Sequence, residues 1–288
     1  MSGPDQPRVD SIRQRLLNLA RQRGEEFQLT LDRYAVERLL YRLSVSPHRD
    51  AFVLKGALLF QLWQEQTYRP TRDADFLGFG APESTRIETV VRELCAMHQD
   101  DGLVFDDDSM RVEPIREGAN YEGLRMQLRA TLGRAQCWVQ WDIGFGDAIT
   151  PGPVEVELPT LIGELPAPSL RAYPRETVFA EKLEALVVLG MANSRMKDYF
   201  DLFNLIGEAQ MHAGTLASAI AATFARRGTP IPADLPLGLT ETFALDALKQ
   251  VQWHAFLSRN RLQAPGLEEV VKEIARTVGP LWSGAASR

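Results

Sequence analysis

The sequence predicts an α+β protein: a small mixed sheet flanked by helices, followed by a helical C-terminal half. Three observations lead there. Apolar residues spaced three to four apart dominate the first fifty positions and nearly everything after 175, which is helical periodicity. Short apolar runs and strict apolar–polar alternation are confined to the stretch between, as strands require. Six of the 17 prolines fall between Pro151 and Pro174, marking an irregular connector between the two regimes. The expected organisation is therefore N-terminal helices over 1–50 packing on a core, an α/β domain over 51–170, and a helical domain over 171–288.

Each element follows from its own pattern. Val9, Ile12, Leu16 and Ala20 make the buried stripe of a first helix, with Ser11 and Gln14 as a capping pair. A second helix is expected over 31–44, apolar at Tyr34, Val36, Leu39, Leu40 and Leu43. Phe52-Val53-Leu54 reads as a short strand ending at Lys55-Gly56, and Ala57–Trp63 as a helix. A polar loop over 64–70 precedes a strand over 72–79 and a helix over 86–98. Leu124, Met126, Leu128, Ala130 and Leu132 alternate with mostly polar neighbours, Gly133-Arg134 forms a turn, and 137–143 alternates again, which predicts an antiparallel hairpin. Helices are expected over 176–189, 197–206, 214–227, 244–260 and 267–278.

Composition narrows the function. A formal charge of −6 excludes a surface that is basic throughout, though not a local basic patch. Two cysteines, Cys95 and Cys137, are too few for a disulfide scaffold. The chain has no apolar run of membrane-spanning length and its first residues have no signal-peptide core, so a cytoplasmic protein is expected. No P-loop, nucleophile elbow or metal-spaced histidine pair occurs. The run Asp106-Asp107-Asp108 after Asp100-Asp101 reads as a solvated loop.

The stretch from Phe52 to Gly80, FVLKGALLFQLWQEQTYRPTRDADFLGFG, carries the first candidate chemistry. Asp73 and Asp75 on one strand share a face, about 6.5 Å apart along the backbone. Carboxylates so placed can share Mg²⁺, which takes oxygen ligands and keeps positions open for phosphate and water. A glycine between strand and helix, Gly56, lets main-chain N–H groups approach phosphate oxygens. Asp142, in WVQWDI, fits as third carboxylate, since a single aspartate among aromatic and aliphatic neighbours calls for a cation.

The second stretch runs from Glu176 to Leu205. Lys182 borders the apolar stripe of Phe179, Leu183 and Leu186, while Asp198 and Asp201 share a face of the next helix and Lys197 is spaced to pair with Asp201. Only five of the 32 basic residues are lysine (Lys55, Lys182, Lys197, Lys249, Lys272), and three of those lie in these two stretches. A compact ammonium is well suited to phosphate contact.

The ordered set L-K-G, D-x-D-F, A-E-K-L-x-A-L and K-D-x-x-D-L, spread over about residues 50 to 207, resembles the AbiEii/AbiGii nucleotidyltransferase toxins of the polymerase-β-like superfamily. That resemblance implies a sheet of nucleotidyltransferase type, Gly56 with Lys55 in the nucleotide-cradling turn, and Asp73 and Asp75 as ligands of Mg²⁺ or Mn²⁺. It also implies that Lys182 contacts nucleotide phosphate and that Asp201, with Asp198, completes the distal motif. Its members act in bacterial abortive infection (phage defence) and toxin–antitoxin systems, some adding nucleotides to the acceptor end of tRNA, with an antitoxin encoded nearby. One departure is visible: the turn reads Gly56-Ala57-Leu58, where the family carries a hydroxyl residue.

The expected activity is transfer of NMP from an NTP to an acceptor such as a tRNA 3′ end, with Asp142 taking the hydroxyl proton. RNA is expected to meet helix-borne Arg13, Arg21, Arg38 and Arg42, or Arg226-Arg227, because residues 8–49 hold nine arginines against five acids. The alternatives are a nucleotide-binding regulator without transferase activity and a protein-interaction module.

Overall fold

The computed structural model describes residues 5–63, 71–116, 122–208 and 211–285, which divide into two compact units. The first comprises Met1–Gly146 and Val154–Ala172, the second Asp147–Pro153 and Tyr173–Arg288. The loop expected over 64–70 lies outside the described residues.

In the first unit, helix α1 (Gln6–Arg23) buries the predicted stripe of Val9, Ile12, Leu16 and Ala20. It starts earlier than expected, with Pro7 in its first turn where a missing N–H costs nothing, so Ser11 and Gln14 are interior rather than capping. Its C-cap, Gly24, is left-handed. Helix α2 (Phe27–Ser44) follows, then strand β1 (Phe52–Lys55). Residues 57–63 do not make a continuous helix: a 3₁₀ turn over Gly56–Leu59 leads into one α-helical turn, α3 (Phe60–Trp63). Strand β2 (Asp73–Gly78) and helix α4 (Ser84–Ala96) come next.

The acidic run is not a solvated loop. Strand β3 (Leu103–Arg116) passes through it, with a register irregularity between Asp106 and Arg111 where it pairs with β4 (Glu122–Leu132). Strand β5 (Ala135–Phe145) closes the expected hairpin through Gly133-Arg134. The proline-rich connector also holds structure, the strands β6 (Val154–Glu157) and β7 (Ser169–Ala172), which pair with each other between the prolines.

These seven strands form one mixed sheet in the order β3-β4-β5-β2-β1-β7-β6, with β2 parallel to β5 and β1 parallel to β7. One face carries the core. Trp141, Phe76 and Phe52 cluster there with centroids 4.9 to 6.2 Å apart, while α2 packs on β5 and α4 on β3. Burial on β2 alternates at its start, with Ala74 and Phe76 turned into this core and Asp73 and Asp75 turned to the other face.

The second unit is helical: α5 (Arg175–Leu189), α6 (Met196–Glu208), α7 (Ala213–Arg227), α8 (Glu241–Ala244), α9 (Ala247–Asn260) and α10 (Leu267–Ala285). The helix expected over 244–260 is α9, which starts only at Ala247 because Asp246 caps it by accepting from the Lys249 N–H; the short α8 precedes it. Phe179, Leu183 and Leu186 of α5 are buried, as are Ile220 and Phe224 of α7, which packs on it; Tyr199 stacks on Phe243 at 5.0 Å. No helix among the described residues is long and apolar enough to cross a membrane.

Candidate active site

The site in the first unit is built by register. Lys55 on β1 pairs with Asp75 on β2, Asp75 with Asp142 on β5, Asp142 with Arg125 on β4, and Arg125 with Glu113 on β3. Laterally paired residues point to one face, so these five side chains form a single transverse row. Read across it, the charges run negative, positive, negative, negative, positive, with the two like carboxylates adjacent at the centre. Asp73 stands one step along the same face, in register with Gln140 and, through it, Gln127.

Gly56 fixes Asp75. Its φ is +76°, a conformation L side chains rarely adopt, and a Cβ there would lie 2.8 Å from Asp75 Cγ and closer still to Oδ2. The carboxylate therefore sits in the space that the glycine leaves open. Lys55, next in the chain, is buried at 6% exposure. The donor set of Asp73 and Asp75 fits a hard divalent cation: two carboxylates on one face, one seated in the cradle of Gly56, where the 3₁₀ turn begins.

Asp142 is differently engaged. It is 8% exposed, and Arg125 grips it with a two-pronged contact, Nε to Oδ1 at 2.8 Å and Nη2 to Oδ2 at 2.6 Å. Gln140 Nε2 donates to Oδ1 at 3.3 Å. Among the described residues no group of three or more His, Cys, Asp or Glu side chains is arranged to hold a metal ion. Sequence reasoning did not find Arg125, because its link to Asp142 is cross-strand and depends on the hairpin register.

In the second unit Lys182 Nζ lies 3.0 Å from Asp198 Oδ1 and 2.6 Å from Asp201 Oδ2, and Arg195 Nε lies 2.8 Å from Asp198 Oδ2. Both aspartates are fully buried, so this is a buried charge cluster rather than the surface pair that the i,i+4 spacing suggested. Lys182 provides the bond to Asp201, while Lys197 is exposed. Burial opposes ionisation of Asp198, but the charges of Lys182 and Arg195 outweigh it and hold the carboxyl below its usual range. For Asp201 burial pushes the carboxyl well above its usual range.

The arginines expected to face RNA divide. Arg38 and Arg42 are buried at 1% and 2% exposure and are structural. Arg38 binds Glu37 at 2.9 Å and the Pro166 carbonyl; Arg42 binds buried Asp101 at 2.5 Å and the carbonyls of Met97 and Arg38. Arg227 is likewise withdrawn, meeting Glu184, Glu181 and Asp147 at 2.9, 3.2 and 3.5 Å. Arg13, Arg21 and Arg226 are exposed. The periodicity could not separate these sets, because a buried arginine with a distant carboxylate reads like a solvated one.

The family model described as "Nucleotidyl transferase AbiEii toxin, Type IV TA system" matches residues 38–273, which spans both units. The protein is thus a nucleotidyltransferase. It belongs to the AbiEii toxin family of toxin–antitoxin systems. Two solved structures from Helicobacter pylori are similar to the chain: JHP933, at 16% identity and a TM-score of 0.45 over 87% of this chain and 90% of that one, and a "putative nucleotidyltransferase", at 16% identity and 0.48 over 87% and 92%. No curated protein matches the chain.

Proposed function

We propose that this toxin transfers a nucleoside monophosphate from an NTP to the terminal hydroxyl of an RNA, a tRNA 3′ end being the acceptor, with Asp73 and Asp75 holding Mg²⁺ or Mn²⁺. The single observation that carries the reading is the seat of Asp75 in the Gly56 cradle, in register with Lys55 on one side and Asp142 on the other. A divalent ion bound there would offset triphosphate charge and polarise the α-phosphate.

The remaining roles belong to the chain itself. Lys55, buried beside Asp75, places positive charge next to the two in-register carboxylates. Gly56 brings main-chain N–H groups close to where phosphate oxygens would lie. Asp142 takes the proton of the acceptor hydroxyl as its oxygen attacks the α-phosphorus; the bond to the bridging oxygen breaks and pyrophosphate leaves. In the second unit Lys182 is assigned to nucleotide phosphate, positioned by Asp198 and Asp201. Exposed Arg13 and Arg21 supply contacts to RNA phosphates. An antitoxin encoded nearby and a setting in phage defence follow the family.

The test is to incubate the protein with each α-labelled NTP, Mg²⁺ and total tRNA, before and after periodate oxidation of the RNA 3′ ends. Label on intact RNA, lost after oxidation, is the expected result. Label that survives oxidation, or that appears only on protein, would contradict the acceptor assignment.

A further inference from the structure

We infer that Arg125 controls whether Asp142 can serve a metal, exchanging partners when a nucleotide triphosphate arrives; the inference rests on the assignment of Asp73 and Asp75 as metal ligands. A carboxylate offers about four lone-pair sites. The fork of Arg125 occupies two of those on Asp142, one on each oxygen, and Gln140 occupies a third. Asp142 nevertheless stands in direct register with Asp75, and neighbouring strands are only about 4.8 Å apart. The centre of the transverse row thus places two carboxylates side by side, with a cation beyond each: Lys55 beyond Asp75 and Arg125 beyond Asp142. A divalent ion held by Asp142 as well as Asp75 would compete with Arg125 for the Asp142 oxygens.

Arg125 is built to let go. Its side chain is 42% exposed while that of Asp142 is 11% exposed, so the arginine can move while the aspartate stays. A guanidinium matches phosphate as well as carboxylate in two-pronged geometry. The exchange conserves charge pairing: the metal takes Asp142 and the triphosphate takes Arg125. Metal and nucleotide should therefore bind cooperatively, with Arg125 as the positioning residue that couples them.

The test measures Mn²⁺ binding by electron paramagnetic resonance, with and without the four α,β-methylene nucleoside triphosphates, so the readout is affinity rather than turnover. In the unaltered protein nucleotide should tighten Mn²⁺. Arg125→Gln should tighten Mn²⁺ roughly threefold or more without nucleotide, the scale of a partly exposed ion pair, and should shrink the nucleotide effect. Adding Asp142→Asn to Arg125→Gln should abolish that gain. Arg125→Lys, which keeps the charge but loses the fork, should fall between; melting temperatures confirm that each variant is folded. Unchanged or weaker Mn²⁺ binding in folded Arg125→Gln, or a gain that persists with Asp142→Asn, would overturn the exchange. Mn²⁺ binding that ignores Asp75→Asn would instead overturn the underlying assignment of the metal ligands, so the two failures are distinguishable.

Discussion

The carboxylate of Asp75 occupies the volume that a side chain on Gly56 would fill. Two strands thereby lock one acid in place: β1 is followed by a left-handed glycine, and β2 supplies the acid that the glycine admits. Gly56→Ala meets both a strained φ and a collision, whereas Gly24, at φ +64°, has nothing within 4 Å of an added Cβ. Gly24→Ala should cost only the backbone strain, about 1–3 kcal/mol by denaturant unfolding. Gly56→Ala should cost more than Gly24→Ala and should also depress nucleotide transfer, which Gly24→Ala leaves intact.

The buried cluster of the second unit predicts a pH dependence with two opposite signs. Asp198 has a lowered folded pKa, so its contribution is present above the unfolded value near 3.8 and is lost as pH falls through the lower folded value. Asp201 has a raised folded pKa, so the native state binds the extra proton; its contribution is fully present below pH 3.8 and is lost as pH rises through the raised value. Asp201→Asn should flatten that decline in urea unfolding measured from pH 4 upwards. Asp198→Asn should destabilise by about 3–5 kcal/mol at neutral pH, because it leaves the largely buried Lys182 short of a counter-charge.

Arg42 and Arg13 should behave as different kinds of residue although both lie on N-terminal helices. Arg42→Ala strips buried Asp101 of its partner and should lower stability by about 3–5 kcal/mol. Arg13→Ala, at an exposed position, should leave the melting temperature nearly unchanged. Combined with Arg21→Ala it should weaken tRNA binding and reduce the salt slope by about two counter-ions.

Much of the fold was legible because the helices and the β4–β5 hairpin carry their period in sequence: Val9, Ile12, Leu16 and Ala20 are all buried. What escaped was long-range. β3 runs through Asp106-Asp107-Asp108, which has no strand signature; it is held by pairing with β4 and by Arg129 reaching Asp106. Strands β6 and β7 hide among prolines because each is only four residues long. For the site, the D-x-D spacing identified two acids on one face, and Asp142 was found as an isolated charge in an apolar strand. Its neighbour Arg125 was not, since cross-strand partners leave no spacing in the chain. The same blindness made Arg38 and Arg42 read as surface residues, when their partners Pro166 and Asp101 are 128 and 59 residues away.

The central claim is that Asp75 carries the transfer reaction. Its most direct test compares label transfer from α-labelled NTP to tRNA by Asp75→Asn and by Asp107→Asn, the latter an exposed acid on β3 off the transverse row. The account predicts that folded Asp75→Asn loses transfer by at least about a hundredfold while Asp107→Asn retains it, on the scale expected when charge stabilisation is removed from a phosphoryl-transfer site. Full transfer by Asp75→Asn, or equal loss in both variants, would contradict it.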